Sequence, residues 1–271
     1  MLLRLFIVFS SVFFSLLAQA VELEGQLTQG SLIRTSVEPG SQVWLNGQSI
    51  RVADNGGVVF GFGRDAELTH TLKVETPSGK VVEQPIQLAK REYRLQRIEG
   101  IAKKIMEPDE AAIKRSRQDS AQVKAARATD SDLMAWQSSF IWPAQGPITG
   151  VYGSQRIYNG VPKRPHFGVD VAGPTGTSVV APADGVITLA VPDMFFSGGT
   201  MIIDHGYGVS SSFLHLSKLL VEVGTKVKQG QVVAEIGATG RVTGPHLDWR
   251  INWYGERLDP ALLVPPMPRK K

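Results

Sequence analysis

The chain has 271 residues, of which 42% are hydrophobic and 20% charged, with a formal net charge of +4 at neutral pH. This supplies apolar side chains for about two domains at roughly 150 residues each and excludes a chain too polar to form a core. Cysteine is absent, which excludes a disulfide framework, a thiolate metal site and a lipid-modified cysteine, while the mildly basic balance suits an anionic envelope polymer or membrane surface.

In chain order, Arg4 precedes an apolar run from Leu5 to Leu17 that closes on Ala18-Gln19-Ala20. Residues 1–20 have the basic, apolar and small-x-small pattern of a secretory signal, and the run is shorter than the roughly 20 residues of a spanning helix. Export is expected, to the periplasm or the exterior, with no stable membrane span after cleavage and a net charge of +3 once Arg4 is removed. Residues 21–90 read as short strands: Val43-Trp44-Leu45 runs into Asn46-Gly47, a hairpin dipeptide, and Asp54-Asn55-Gly56-Gly57 and Pro77-Ser78-Gly79 punctuate two further pairs. A small β-sandwich of immunoglobulin-like type is expected, with His70 an ordinary surface residue. Residues 91–140 are charged and rich in alanine, and Pro108-Asp109-Glu110 marks a helix start, with Glu110 four residues before Lys114. The apolar stripe of Ile113 and Val123 is thin, so a partly helical spacer is expected there. Residues 141–264 return to strands and glycine turns and hold four of the five histidines, and residues 265–271 form a basic tail. The fold class is therefore mainly β: an N-terminal sandwich, a charged spacer and a C-terminal antiparallel domain.

Three segments of that last domain carry potential chemistry: Arg164-Pro165-His166-Phe167-Gly168-Val169-Asp170, Ser212-Phe213-Leu214-His215-Leu216-Ser217 and Gly244-Pro245-His246-Leu247-Asp248-Trp249. Leu247, Trp249, Ile251 and Trp253 alternate as one apolar strand face, which sends His246, Asp248, Arg250 and Asn252 to the other. His166 and Asp170, four apart on an extended segment, can converge on one ion. Phe213 and His215 are expected to share a face, with Leu214 and Leu216 turned to the core. Imidazole and carboxylate groups suit zinc, and three protein ligands with one open position make the catalytic kind of site.

On these segments the chain resembles the lysostaphin-type zinc endopeptidases of bacterial cell walls over about Ile141 to Pro260. The resemblance extends to Ala181-Pro182-Ala183-Asp184-Gly185-Val186, to Ile203-Asp204-His205-Gly206-Tyr207-Gly208, to Val223-Gly224-Thr225-Lys226-Val227-Lys228-Gln229-Gly230-Gln231 and to Gly237-Ala238-Thr239-Gly240-Arg241-Val242-Thr243-Gly244-Pro245-His246. It implies that His166 and Asp170 bind one zinc ion and that His215 and His246 assist catalysis. The third ligand of such enzymes is the second histidine of a His-x-His motif, and here that position holds Asp248. The departure leaves a metal-binding group in place but adds a second carboxylate, which makes the ion a weaker Lewis acid. His205 is expected to be structural, Arg156 is a candidate substrate contact, and Gly224, Gly230 and Gly240 are expected to permit turns.

The expected function is zinc-dependent hydrolysis of amide bonds in the peptide part of peptidoglycan, with no nucleic-acid partner. A catalytically weak or inactive homologue that regulates cell-wall amidases is the rival reading, and an envelope regulatory protein is a candidate partner. A structural wall-binding protein acting through the N-terminal module is a third.

Overall fold

The structure is a computed structural model that describes residues 20–100 and 110–268. The signal-like segment, the Pro108-Asp109 helix start and the last three residues lie outside the described residues. Among those described, no helix is long and apolar enough to cross a membrane.

Seven strands follow one another near the N-terminus: β1 (Leu23–Glu24), β2 (Leu32–Ser36), β3 (Gln42–Leu45), β4 (Gln48–Ile50), β5 (Gly57–Gly61), β6 (Thr69–Glu75) and β7 (Val81–Gln87). They form a three-stranded sheet, β1-β2-β5, and a four-stranded sheet, β4-β3-β6-β7. Alternation on β6 sends Leu72 and Val74 inward, where they meet Ile33, Val43, Phe60 and Ile86 in one apolar cluster. The Asn46-Gly47 turn has both residues at positive φ, 52° and 80°, and closes β3 on β4 with Leu45 opposite Gln48. That is the twist a two-residue hairpin needs. His70 departs from expectation, being 8% exposed. Its Nδ1 lies 2.8 Å from Asn46 Nδ2, its Nε2 lies 2.7 Å from the Glu67 carbonyl, and its ring packs on Phe62. A polar ring with both nitrogens partnered is buried at little cost.

The described parts of the segment expected to be a spacer are tied down. β8 (Leu95–Ile98) pairs in parallel with β10 (Gln155–Tyr158), which also pairs with β11 (Val161–Pro162). Helix α1 (Glu110–Arg127) sets Val123 and Ala126 against Leu189, Met194 and Ile202. Asp119 accepts a 2.7 Å hydrogen bond from the Phe195 amide, and Arg115 pairs with Asp193 at 2.7 Å. Beyond the helix, Trp136 and Phe140 are buried in the main core. An apolar stripe two residues wide thus suffices for docking because side chains of the polar face are anchored too.

The remaining strands are β9 (Ile148–Gly150), β12 (Val169–Ala172), β13 (Ser178–Val180), β14 (Gly185–Met194), β15 (Gly198–Gly206), β16 (Val209–Leu219), β17 (Lys226–Val227), β18 (Val232–Ile236), β19 (His246–Trp253) and β20 (Glu256–Leu258). The main sheet runs β17-β14-β15-β16-β19-β12-β9, with β20 on β19 and the β13–β18 pair attached through β16. Its inner face, with Val171, Ile203, Phe213, Leu247, Trp249 and Ile251 fully buried, forms the core. The opposite face of β12, β16 and β19 is the floor of a groove of about 1830 Å³, which α1 and β8 help to wall.

Candidate metal centre

Strand β19 divides its side chains as its alternation predicts. Leu247, Trp249 and Ile251 are 0% exposed in the core, whereas His246, Asp248, Arg250 and Asn252 line the groove. Its neighbour β12 runs antiparallel with Asp170 directly opposite Asp248 and Ala172 opposite His246. Two carboxylates facing each other across a strand pair repel, so the arrangement asks for a cation between them. His166, in the loop before β12, brings Nε2 to 3.1 Å from Asp170 Oδ1. The donor atoms of His166, Asp170 and Asp248 all lie within 4.8 Å of one another. Glycine at 168 lets that loop lie on β19, since a Cβ there would meet Asp248 Oδ1 and would stand 2.6 Å from the Trp249 carbonyl oxygen.

His166 Nε2 and Asp170 Oδ1 are both buried and face each other, and among the described residues neither has a further hydrogen-bond partner. Buried polar atoms usually have more than one partner available, and an imidazole nitrogen and a carboxylate oxygen held 3.1 Å apart with no other partner are placed to share a cation. Burial, the largest single influence, pulls the pKa of His166 down, but the Asp170 carboxylate beside it and the charge of Asp248 raise it above the ordinary histidine value. One imidazole and two carboxylates thus fit a divalent ion.

The third donor is engaged. Arg250, two residues along the same face, donates from Nε to both oxygens of Asp248 at 2.9 and 3.1 Å and from Nη2 to Oδ2. Burial would raise the Asp248 pKa, yet the guanidinium holds it well below the usual carboxylate range. Sequence reasoning put Arg250 on this face and gave it no role; the i, i+2 spacing on one strand was the signal available.

His215 and His246 face each other with ring centroids 4.9 Å apart. Nδ1 of His215 lies 2.9 Å from the Thr239 carbonyl and Nδ1 of His246 lies 2.8 Å from the Gly244 carbonyl. A carbonyl only accepts, so in each neutral ring Nδ1 carries the hydrogen and Nε2 is bare. His246 Nε2 is 3.8 Å from Asp170 Oδ1. Burial, chiefly, lowers the His215 pKa and favours its neutral form.

The expected alternation around His215 fails. Gly199 pairs with Leu216 while Met201 pairs with Phe213, so β16 carries an extra residue there, and His215 takes φ 67°. This bulge resets the pleat. Phe213 and Leu216 go to the core, and Leu214 and His215 both line the groove. His205, by contrast, is 0% exposed and away from the groove, with Nδ1 2.7 Å from the Asp184 carbonyl and Nε2 2.8 Å from Ser211 Oγ. Arg156 is exposed on β10 at the rim of the groove. Gly224, Gly230 and Gly240 all have positive φ and sit in turns.

Residues 164–260, which span all six site positions except Arg156, match peptidase family M23. Over this stretch the chain is similar to the M23 peptidases. The domain is 44% identical over 87 residues to the peptidoglycan DD-endopeptidase ShyA of Vibrio cholerae, an overlap of 32% of this chain and 20% of the relative. It is 39% identical over 105 residues to the DD-carboxypeptidase/endopeptidase Mpg of Neisseria meningitidis, 39% of this chain and 24% of that one. The chain thus spans about a fifth to a quarter of the curated relatives it matches. A crystal structure of a candidate M23 peptidase from Pseudomonas aeruginosa superposes with TM-score 0.67 at 28% identity, covering 88% of this chain and 95% of the other. The shared fold therefore includes the N-terminal sheets as well as the domain that matches M23.

Proposed function

We propose that this chain is a zinc-dependent endopeptidase that hydrolyses amide bonds in the peptide part of peptidoglycan, outside the cytoplasm and most simply in the periplasm. The observation that carries this reading is the convergence of His166, Asp170 and Asp248, whose donor atoms lie within 4.8 Å of one another, with His166 Nε2 and Asp170 Oδ1 buried and partnered only by each other among the described residues. The M23 relatives named for peptidoglycan cleavage supply the substrate class.

His166, Asp170 and Asp248 would hold one zinc ion. When bound, zinc supplies Lewis acidity toward a carbonyl and acidity to a water. His215 and His246 offer two bare Nε2 atoms on one side of that position, so one can take a proton while the other, protonated, donates toward a developing oxyanion or a leaving amine. The lowered pKa of His215 suits it to begin as the acceptor. Arg156, exposed on the rim, would meet the polymer.

The Arg250 clamp favours a second reading. A guanidinium on the third ligand competes with a metal for the same oxygens, as expected of a catalytically weak homologue that acts by binding wall amidases or another envelope regulator. Incubating isolated sacculi with the purified protein, with zinc or with chelator, and identifying released fragments by mass spectrometry separates the two. Zinc-dependent release of peptide fragments supports the endopeptidase; intact sacculi under both conditions support the regulator.

A further inference from the structure

Beside the candidate metal centre lies a concentration of positive charge that metal binding does not explain. The groove is lined by nine lysines and arginines against three aspartates, and glutamate is absent from its lining among the described residues. Four of the arginines come from separate elements to one stretch of wall. Arg250 of β19 stands opposite Ser212 of β16, and Arg127, in the last turn of α1, donates to Ser212 Oγ at 2.9 Å. Arg257 of β20 stands opposite Asn252 of β19, two residues beyond Arg250. Arg164 and Arg257 flank the Phe167 ring, with guanidinium carbons 5.8 and 4.7 Å from its centroid.

Among the described residues, only Arg250 of these four has an acidic partner, Asp248. Nε of Arg127 is buried without a hydrogen-bond partner. Burial, with the charges of Arg257, Arg250 and Arg164, pushes Arg127 down to about 9, and burial with Arg164 and Arg250 pushes Arg257 down to about 10. Both stay protonated at neutral pH. Their mutual repulsion is therefore relieved by an anion entering the groove and not by loss of a proton.

We propose that Arg127, Arg164 and Arg257 form an anion-binding subsite that receives a carboxylate of the peptide substrate close to the bond presented to the metal centre. The inference rests on the endopeptidase reading for the identity of its ligand. Guanidinium groups present planar paired donors that match a carboxylate, and Phe167 holds two of them at a fixed spacing. The subsite would give the groove a preference for acidic peptides over neutral ones of equal length, and it would fix the direction in which the peptide lies.

Binding is measured by calorimetry with chelator-treated full-length protein, so that the result does not depend on zinc or turnover. The probes are soluble sacculus fragments, either untreated or with their carboxylates converted to amides. Untreated fragments are expected to bind at least about tenfold more tightly than amidated ones at low salt, with the difference shrinking as salt rises. Arg164→Gln with Arg257→Gln is expected to bring the ratio to within about twofold while circular dichroism and the melting temperature show a folded protein. Arg127→Gln alone is expected to reduce it less. Equal affinity for both fragment preparations, or no binding of either, would overturn the proposal. A groove filled instead by inorganic phosphate, displacing fragments whose amidation makes no difference, would also overturn it. Failure of zinc-dependent release from sacculi, with the tenfold preference intact, would refute the endopeptidase and leave the subsite standing.

Discussion

Asp170 and Asp248 stand opposite each other on β12 and β19, and the side chain that now compensates them is Arg250. A charge-assisted pair of this kind contributes on the order of 1.5–3 kcal/mol, so Arg250 stabilises the metal-free site and competes with an incoming ion. Arg250→Gln is expected to lower the melting temperature of the metal-free protein and to tighten zinc binding by about tenfold, since the Asp248 oxygens are released to the metal. Titration with a competing chelator measures the second effect, and unchanged affinity would remove Asp248 from the ligand set. His246→Ala behaves differently: it leaves all three donors in place, so zinc content should persist while release of sacculus fragments falls by at least about a hundredfold. Equal loss of zinc in His246→Ala and His166→Ala would contradict these roles.

Each donor depends on the element that carries it. β19 supplies His246, Asp248 and Arg250 by simple alternation, β12 supplies Asp170 by pairing in register, and the loop 164–168 delivers His166 only because it lies flat on β19. Gly168→Ala drives a methyl group into the Asp248 carboxylate and the Trp249 carbonyl, both fixed by the strand. The expected cost is about 1–3 kcal/mol of stability together with loss of zinc, read by denaturant unfolding and metal analysis. Stability and zinc affinity at the wild-type level would show that the loop does not need this close approach. The β16 bulge is the element that single-strand periodicity misses. Alternation read from Phe213 to His215 assumes an unbroken pleat, whereas a left-handed His215 shifts Leu214 to the groove. Nothing in the residue types between Ser212 and Ser217 announces that shift.

At the scale of the whole molecule, the N-terminal sheets and the domain that matches M23 are in contact. The Asp259 amide donates to the Gly30 carbonyl at 2.7 Å, and Trp253 of β19 packs against the apolar cluster of the N-terminal sheets. The mainly β character, the Asn46-Gly47 hairpin and the converging His166, Asp170 and Asp248 were legible because each is a local pattern: a turn dipeptide, an alternating strand, a short motif. The docking of residues 91–140 was not, because its anchors, Asp119 on the Phe195 amide and β8 beside β10, join residues 76 and about 60 positions apart. The burial of His70 escapes a local reading for the same reason, since its partner Asn46 lies in the β3–β4 turn, 24 positions away. Acid sensitivity also belongs to the whole fold. His205, wholly buried, has its pKa lowered by burial to about 4 from 6.5. The unfolded chain therefore binds a proton that the folded one does not between those values, and stability is full above pH 6.5 and falls as pH drops toward 4, by about 3 kcal/mol. Denaturant unfolding at the two ends of that window should show this slope in the wild type and a shallower one in His205→Gln; parallel slopes would contradict it.

The metal content of the purified chain tests the central claim most directly. After dialysis against zinc and removal of excess, the wild type should retain one zinc ion per chain and His166→Ala and Asp170→Ala less than about a tenth of one. A wild type without bound zinc, or variants that hold as much as the wild type, would contradict a metal centre built on these residues.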